Sequence, residues 1–296
     1  MPSDIRIRTI NHVGIPIWDR RVSLRFYRDV LGLQVIPSMV DSSSIVWMKT
    51  LDGTMVHLME PPDGETLTVP HVAFEVEDFD ATVAALRESD YPNITDPGER
   101  HDGQKALFIN DNEGNRLEFT TASRLRPSAR VVDAFGYTTE SGESSVASSP
   151  SEIKILTINH VGIPFIDRAE CMLMYRDLLN IKVIPHQGDG NTLAWTELPD
   201  GSMVHVIGPP EKLGPRGDVR QHTAFEVADI EATAEALIEA DVEIAEGIGT
   251  RHDGQHYMFV YDPDGNRIEI ATRGDHSDTA RTVDESGYTS ADGVLL

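Results

Sequence analysis

The chain repeats itself, and that repeat limits what it can fold into more than any other feature. Thr9-Ile10-Asn11-His12-Val13-Gly14-Ile15-Pro16 returns unchanged as Thr157 through Pro164. Arg100-His101-Asp102-Gly103-Gln104 returns as Arg251 through Gln255, and the extra residues of the second copy fall around Pro210 to Asp218. Even the ends correspond, Val132 to Tyr137 with Val283 to Tyr288. Two like halves are expected, 1–125 and 153–274. Residues 126–152 form a tail and a linker that is Ser-rich over Ser141 to Ser151, and 275–296 form a second tail. At 296 residues, each half is long enough to bury a core of its own.

Each half divides again. A short strand carrying a histidine opens every quarter: Asn11-His12-Val13-Gly14, Pro70-His71-Val72-Ala73, Asn159-His160-Val161-Gly162 and Gln221-His222-Thr223-Ala224. A helix follows. Asp19 is an N-cap, Val22, Phe26 and Val30 share a face, and Gly32 is a stop; Asp167, Met172, Leu179 and Asn180 repeat the pattern. Asp80 to Leu86 and Ile230 to Ala240 supply the other helices, and three strand-like runs close each quarter. The expected class is α+β, four copies of β-α-β-β-β.

The last strand of each quarter begins after a turn glycine, with a metal-binding residue type four positions on. The pairs are Gly53 and His57, Gly114 and Glu118, Gly201 and His205, Gly265 and Glu269. The interval from His12 to His57 recurs between His160 and His205, and that from His71 to Glu118 between His222 and Glu269. Side chains alternate across a strand, so Val72, Phe74 and Val76 face the helix and leave His71, Ala73 and Glu75 on the other side. A lone histidine is usually an ordinary packed residue. Eight positions in register argue for a shared role.

Lys plus Arg number 25 against 49 Asp plus Glu, a formal charge of −24 shared by both halves. Such a surface repels phosphate backbones and anionic lipid, so no nucleic-acid or membrane partner is expected. No apolar run suits a membrane helix, Met1 to Arg6 lacks the apolar core of a signal peptide, and the single Cys171 forms no internal disulfide. A cytoplasmic protein with a small-molecule substrate is expected, and a homo-oligomer stays open.

The pattern resembles the vicinal oxygen chelate superfamily, which includes glyoxalase I, methylmalonyl-CoA epimerase, extradiol dioxygenases and fosfomycin or bleomycin resistance proteins. The resemblance covers about residues 5–123 and 153–273. It rests on the first-strand histidines, Phe26-Tyr27-Arg28-Asp29-Val30-Leu31-Gly32, and Asp262-Pro263-Asp264-Gly265-Asn266-Arg267-Ile268-Glu269. It implies that two modules form a cup around a divalent metal. Carried over, His12, His57, His71 and Glu118 are ligands in one cup, and His160, His205, His222 and Glu269 in the other. If instead the quarters pair one with four and two with three, each cup still receives three His and one Glu. Such ligands suit Fe(II) first, then Mn(II), Co(II), Ni(II) or Zn(II), rather than Mg(II) or Ca(II).

The second half nearly matches the extradiol signature through Thr250-Arg251-His252, Met258, Phe259, Asp262-Pro263, Gly265 and Glu269, with Phe259 where the family has tyrosine. His101 and His252 fall near the family's acid/base beside the metal. The rival reading of these segments is a hairpin turn at Asp-Gly. The resemblance therefore implies a metal-dependent dioxygenase acting on a vicinal diol, catechol or enol. A glyoxalase- or epimerase-like isomerase or lyase comes second, and a non-catalytic antibiotic-binding protein third. Tyr137 and Tyr288 are expected to pack the tails, His186 and His276 to lie on the surface, and Cys171 to be buried on a helix.

Overall fold

The computed structural model describes residues 4–122, 130–140, 151–188, 192–208, 220–274 and 281–290, apart from positions 63, 90 and 92. The linker over 141–150, the loop around Pro210 to Asp218 and His276 lie outside the described residues. In the first half the strands are β1 (Ile7–Pro16), β2 (Gln34–Ile36), β3 (Ile45–Lys49), β4 (Met55–Met59), β5 (His71–Val76), β6 (Gly98–Glu99), β7 (Lys105–Asn110) and β8 (Arg116–Thr120). They form one eight-stranded sheet in the order β2-β3-β4-β1-β5-β8-β7-β6. A hairpin of β9 (Val131–Val132) and β10 (Thr138–Thr139) follows. The second half repeats the order with β11 (Thr157–Pro164), β12 (Lys182–Ile184), β13 (Leu193–Glu197), β14 (Met203–Ile207), β15 (His222–Glu226), β16 (Ile244–Thr250), β17 (His256–Tyr261) and β18 (Arg267–Ala271). A second hairpin, β19 (Thr282–Val283) and β20 (Thr289–Ser290), ends it.

The topology answers what residue counting left open. β1 pairs antiparallel with β5 and parallel with β4, and β5 pairs parallel with β8. Quarters one and two therefore share one sheet, as do three and four through β11 and β15. The turn glycines before the last strands all have positive φ, from 87 to 100°, a conformation that any other L-residue adopts at a cost. Val72, Phe74 and Val76 enter the core, which spans both halves, and each fully buried phenyl such as Phe74, Phe119 or Phe225 is worth about 2–3 kcal/mol of burial.

The helices are α1 (Arg20–Leu24), α2 (Phe79–Glu88), α3 (Arg168–Met172) and α4 (Ile230–Glu239), and Asp19, Asp78, Asp167 and Asp229 cap them through their side chains. Helices α1 and α3 continue as π-helical turns over Arg25–Val30 and Leu173–Leu178. The wider turn breaks the expected face: Val22 is 44% exposed while Phe26 and Tyr27 are buried. Positive φ at Gly32 and Asn180 ends both segments.

The π turns set the two tyrosines that join the halves. Tyr27 Oη donates to Asp262 at 2.7 Å, and Tyr175 Oη to Asp111 at 3.0 Å. Asn115 and Asn266 donate across the same boundary to the carbonyls of Pro164 and Pro16. Cys171 is buried on α3, where burial pushes its thiol pKa up. No helix among the described residues is long and apolar enough to cross a membrane.

Candidate metal centres

Each cup gathers the side chains that the repeat singles out. In the second, His160 Nε2 lies 3.2 Å from His222 Nε2 and 3.1 Å from Glu269 Oε2, and His222 lies 3.4 Å from the same oxygen. In the first, His12 lies 3.3 Å from His71 and 3.0 Å from Glu118, with His71 to Glu118 at 3.5 Å. His57 and His205 complete the groups, since the ligand atoms of each histidine trio lie within 4.8 Å of one another. His205 is stacked between Trp195, at 3.9 Å, and His160, at 3.7 Å. His57 sits likewise between Trp47 and His12. The two tryptophans, cross-strand partners of these histidines, escaped the sequence reading although Trp47 and Trp195 occupy matching positions.

A hydrogen-bond ring fixes each cup. Glu118 Oε1 accepts from Arg100 at 2.6 Å, Arg100 donates to Gln104, Gln104 donates to Asn11 at 3.5 Å, and Asn11 Oδ1 meets His12 Nδ1 at 2.9 Å. In the second cup an ion pair from Arg251 to Glu269 at 2.8 Å replaces the first link, and hydrogen bonds run on through Gln255, Asn159 and His160. Arg100 and Arg251 were visible in the sequence only as neighbours of His101 and His252. The repeated segment also makes the expected turn, with Gly103 and Gly254 at φ of 82 and 83°. Asp-Gly thus serves the turn, while Arg and Gln serve the ring.

The ring fixes the imidazole tautomers. Asn159 spends its amide N–H on Glu226 at 3.0 Å, so its oxygen accepts the Nδ1 proton of His160. His222 Nδ1 likewise donates to the Arg220 carbonyl at 2.8 Å. Both Nε2 lone pairs then face each other and a carboxylate oxygen with no proton between them, an arrangement that repels unless a cation lies at its centre. Ligands about 2.1 Å from an ion and at right angles sit about 3 Å apart, which is the spacing found. His57 Nε2 and His205 Nε2 are buried without a hydrogen-bond partner, as further ligands would be. These donors fit a divalent transition ion.

The electrostatics agree. Burial lowers the pKa of His71 and His160 to about 4, and holds His12, His57 and His205 well below the usual range, so all five are neutral near pH 7. Burial raises Glu269, but His160 and Arg251 overcome it and hold the carboxyl well below its usual range. For Glu118 burial prevails over Arg100 and the pKa rises, yet the 2.6 Å ion pair to Arg100 keeps it a carboxylate at neutral pH.

The acid/base candidates part company. His252 lines a cavity of about 310 Å³ together with His205, His222, Glu269, Trp195 and Tyr257, and its backbone N–H donates to Gln187. His101 is 41% exposed at its side chain and pairs with Asp41 at 2.8 Å. His186, expected on the surface, is 1% exposed with both ring nitrogens unpartnered. The C-terminal tail buries it: Thr289 accepts from its backbone N–H, and Arg281 donates to its carbonyl and to that of Gly188. Tyr137 and Tyr288 lie under Arg20 and Arg168, so their role is packing against the first helix of each half.

The family model for the glyoxalase/bleomycin resistance protein/dioxygenase superfamily matches residues 9–119 and 157–270. The chain belongs to this superfamily. It is 27% identical over 122 residues to the uncharacterized protein YaeR of Escherichia coli (strain K12), covering 38% of this chain and 95% of YaeR. It is 28% identical over 124 residues to the metallothiol transferase FosB of Staphylococcus haemolyticus, covering 40% of this chain and 86% of FosB. Among solved structures, the 2,3-dioxygenase LapB from Pseudomonas sp. KL28 aligns with a TM-score of 0.64 at 18% identity, covering 93% of this chain and 95% of LapB. The Mn(II)-bound glyoxalase from Novosphingobium aromaticivorans aligns at 0.64 and 15% identity, covering 93% and 85%. A variant of homoprotocatechuate 2,3-dioxygenase from B. fuscum aligns at 0.65 and 20%, covering 94% and 74%. These likenesses establish the vicinal oxygen chelate fold with two cup-shaped halves.

Proposed function

We propose that the chain is a metal-dependent dioxygenase acting on a vicinal diol, catechol or enol, with Fe(II) as the favoured metal. The close approach of His160, His222 and Glu269 beside a cavity carries this reading, because two histidines and a carboxylate are the core ligand set of non-haem Fe(II) oxygenases. With His205 as a fourth ligand, a six-coordinate ion would keep two open positions. When bound, the ion would hold two neighbouring substrate oxygens, or one of them and O₂, and make a hydroxyl more acidic. The protein does the rest. His252 faces that cavity and takes the hydroxyl proton on its imidazole. Trp195 and Phe259 wall the substrate, and Arg251 fixes one oxygen of Glu269 so that the other points inward.

The match to FosB favours a second reading, metal-assisted isomerase, lyase or group-transfer chemistry without redox change. Oxygen uptake separates the two. Protein purified without chelator is assayed for metals and then for oxygen consumption on catechols and hydroquinones. The proposal expects iron and substrate-dependent uptake; iron-loaded protein that turns over equally well without oxygen would contradict it. His252→Ala is expected to lower turnover about 10²-fold or more and keep its metal. Turnover at the wild-type rate would remove His252 from the chemistry.

A further inference from the structure

Across each sheet, the metal-binding residue types alternate with very small ones. Gly14 on β1 pairs with His57 on β4 and with His71 on β5. His12, two residues earlier, pairs with Ala73, which in turn pairs with Glu118 on β8. Cross-strand partners share a face of the sheet, as do residues two apart on one strand. Gly14 therefore lies on the ligand-bearing face, between two of the histidines and beside a third. The second half repeats the arrangement, with Gly162 between His205 and His222 and Ala224 between His160 and Glu269.

Backbone geometry does not call for glycine at these positions. Neither Gly14 nor Gly162 has a positive φ, and a glycine inside a strand weakens it. The need is for space. A Cβ on Gly14 would lie 2.2 Å from Cε1 and 2.3 Å from Nδ1 of His71, and its three nearest atoms all belong to that ring. A Cβ on Gly162 would lie 2.3 Å from Cε1 of His222 and 2.4 Å from the Arg220 carbonyl oxygen, which accepts the Nδ1 proton of the same ring. Each imidazole edge occupies the volume of the missing side chain. That seat sets where its Nε2 ends, 3.3 Å from His12 in one cup and 3.2 Å from His160 in the other. Opening a 2.2 Å contact to the 3.4 Å of ordinary packing asks for a shift of about 1.2 Å, whereas a metal bond tolerates about ±0.2 Å.

We propose that Gly14 and Gly162 are positioning residues: the side chains they lack leave the seats from which His71 and His222 aim Nε2 at the ion. The proposal rests on reading these histidines as metal ligands. A side chain at Gly14 pushes the His71 ring out of its seat and takes one bond from the first centre, while His12, His57 and Glu118 stay in place. At Gly162 the same change also strikes the carbonyl that fixes the His222 tautomer.

The test is a double-mutant cycle in the full chain, with Gly14→Ala, His71→Ala and the two combined. Co(II) is titrated into each chelator-treated protein against a coloured competing chelator, and the metal-free proteins are unfolded in urea. Expected are two tightly held ions in the wild type, and in Gly14→Ala one tight ion with the second held about tenfold or more weakly. Once His71 is gone the clash has no partner. Gly14→Ala should then weaken Co(II) no further and leave the urea midpoint undiminished, although it lowers that midpoint while His71 is present. Losses that add in the double variant would assign Gly14 a backbone role and overturn the proposal, as would Gly14→Ala binding both ions as tightly as the wild type. If Gly14→Ala alone does not fold, the double variant should fold, and its failure to do so overturns the proposal too. A wild type that takes up no Co(II) overturns the ligand reading and this proposal together. Two ions in the wild type with unaltered binding in Gly14→Ala overturns this proposal alone.

Discussion

Arg251 carries the charge balance of the second cup. It pairs at 2.8 Å with Glu269, a fully buried carboxylate whose other oxygen faces two imidazole lone pairs. Arg251→Ala strands that charge and is expected to cost the metal-free protein about 3 kcal/mol and to weaken metal binding at that cup about 10–100-fold. Urea unfolding and metal competition check both, and an unchanged unfolding midpoint would mean that the ion pair is inert. A pH effect follows from the same burial. His71 and His160 fall from the usual 6.5 to about 4, so below pH 6.5 the unfolded metal-free chain binds protons that the folded chain refuses. Stability should be full above about pH 6.5 and drain away as the pH falls through about 4. A urea midpoint constant between pH 7 and 4.5 would contradict this. The eight candidate positions were legible as a set because a strand's two-residue period and the repeat fix them together. Arg100 and Arg251 were not, since their partner carboxylates arrive from another strand and no local pattern marks a long-range ion pair.

Elements that sequence patterns describe poorly turn out to shape the second cup. The hairpin of β19 and β20 lies at the end of the chain, yet Thr289 and Arg281 bind the backbone of His186 and Gly188, and Gln187 between them holds the His252 amide. The first half differs, for Arg130 pairs with Asp41, which also takes His101. Burial of His186 could not be read from the sequence, because a distant tail covers it. The π turns were equally hidden: Leu31 N–H reaches Phe26 O at 2.8 Å, a slip of one residue that spacing alone does not announce. Arg281→Ala is expected to speed hydrogen exchange at the His252 amide by tenfold or more and to lower turnover, with metal content unchanged. Arg130→Ala, its counterpart, should leave that amide as it is. Equal protection in both variants would separate the tail from the site.

At the scale of the molecule, two cups with the same ligand geometry sit in one continuous core, joined by Tyr27 to Asp262 and Tyr175 to Asp111. The order of strands within each sheet decides that neighbouring quarters share a cup, a point on which ligand counting was blind because either pairing yields the same residues. The superfamily and its fold were legible in the repeat, whereas the reaction is not written in the ligand set, which serves oxygenases and redox-neutral enzymes alike. The central claim, that each half holds its own metal, is tested most directly by elemental analysis of protein reconstituted with Fe(II) under anaerobic conditions. The account predicts two ions per chain, falling to one in Glu118→Ala, to one in Glu269→Ala and to none in the double variant. A well-folded wild type that binds at most one ion, with Glu118→Ala changing nothing, would contradict it.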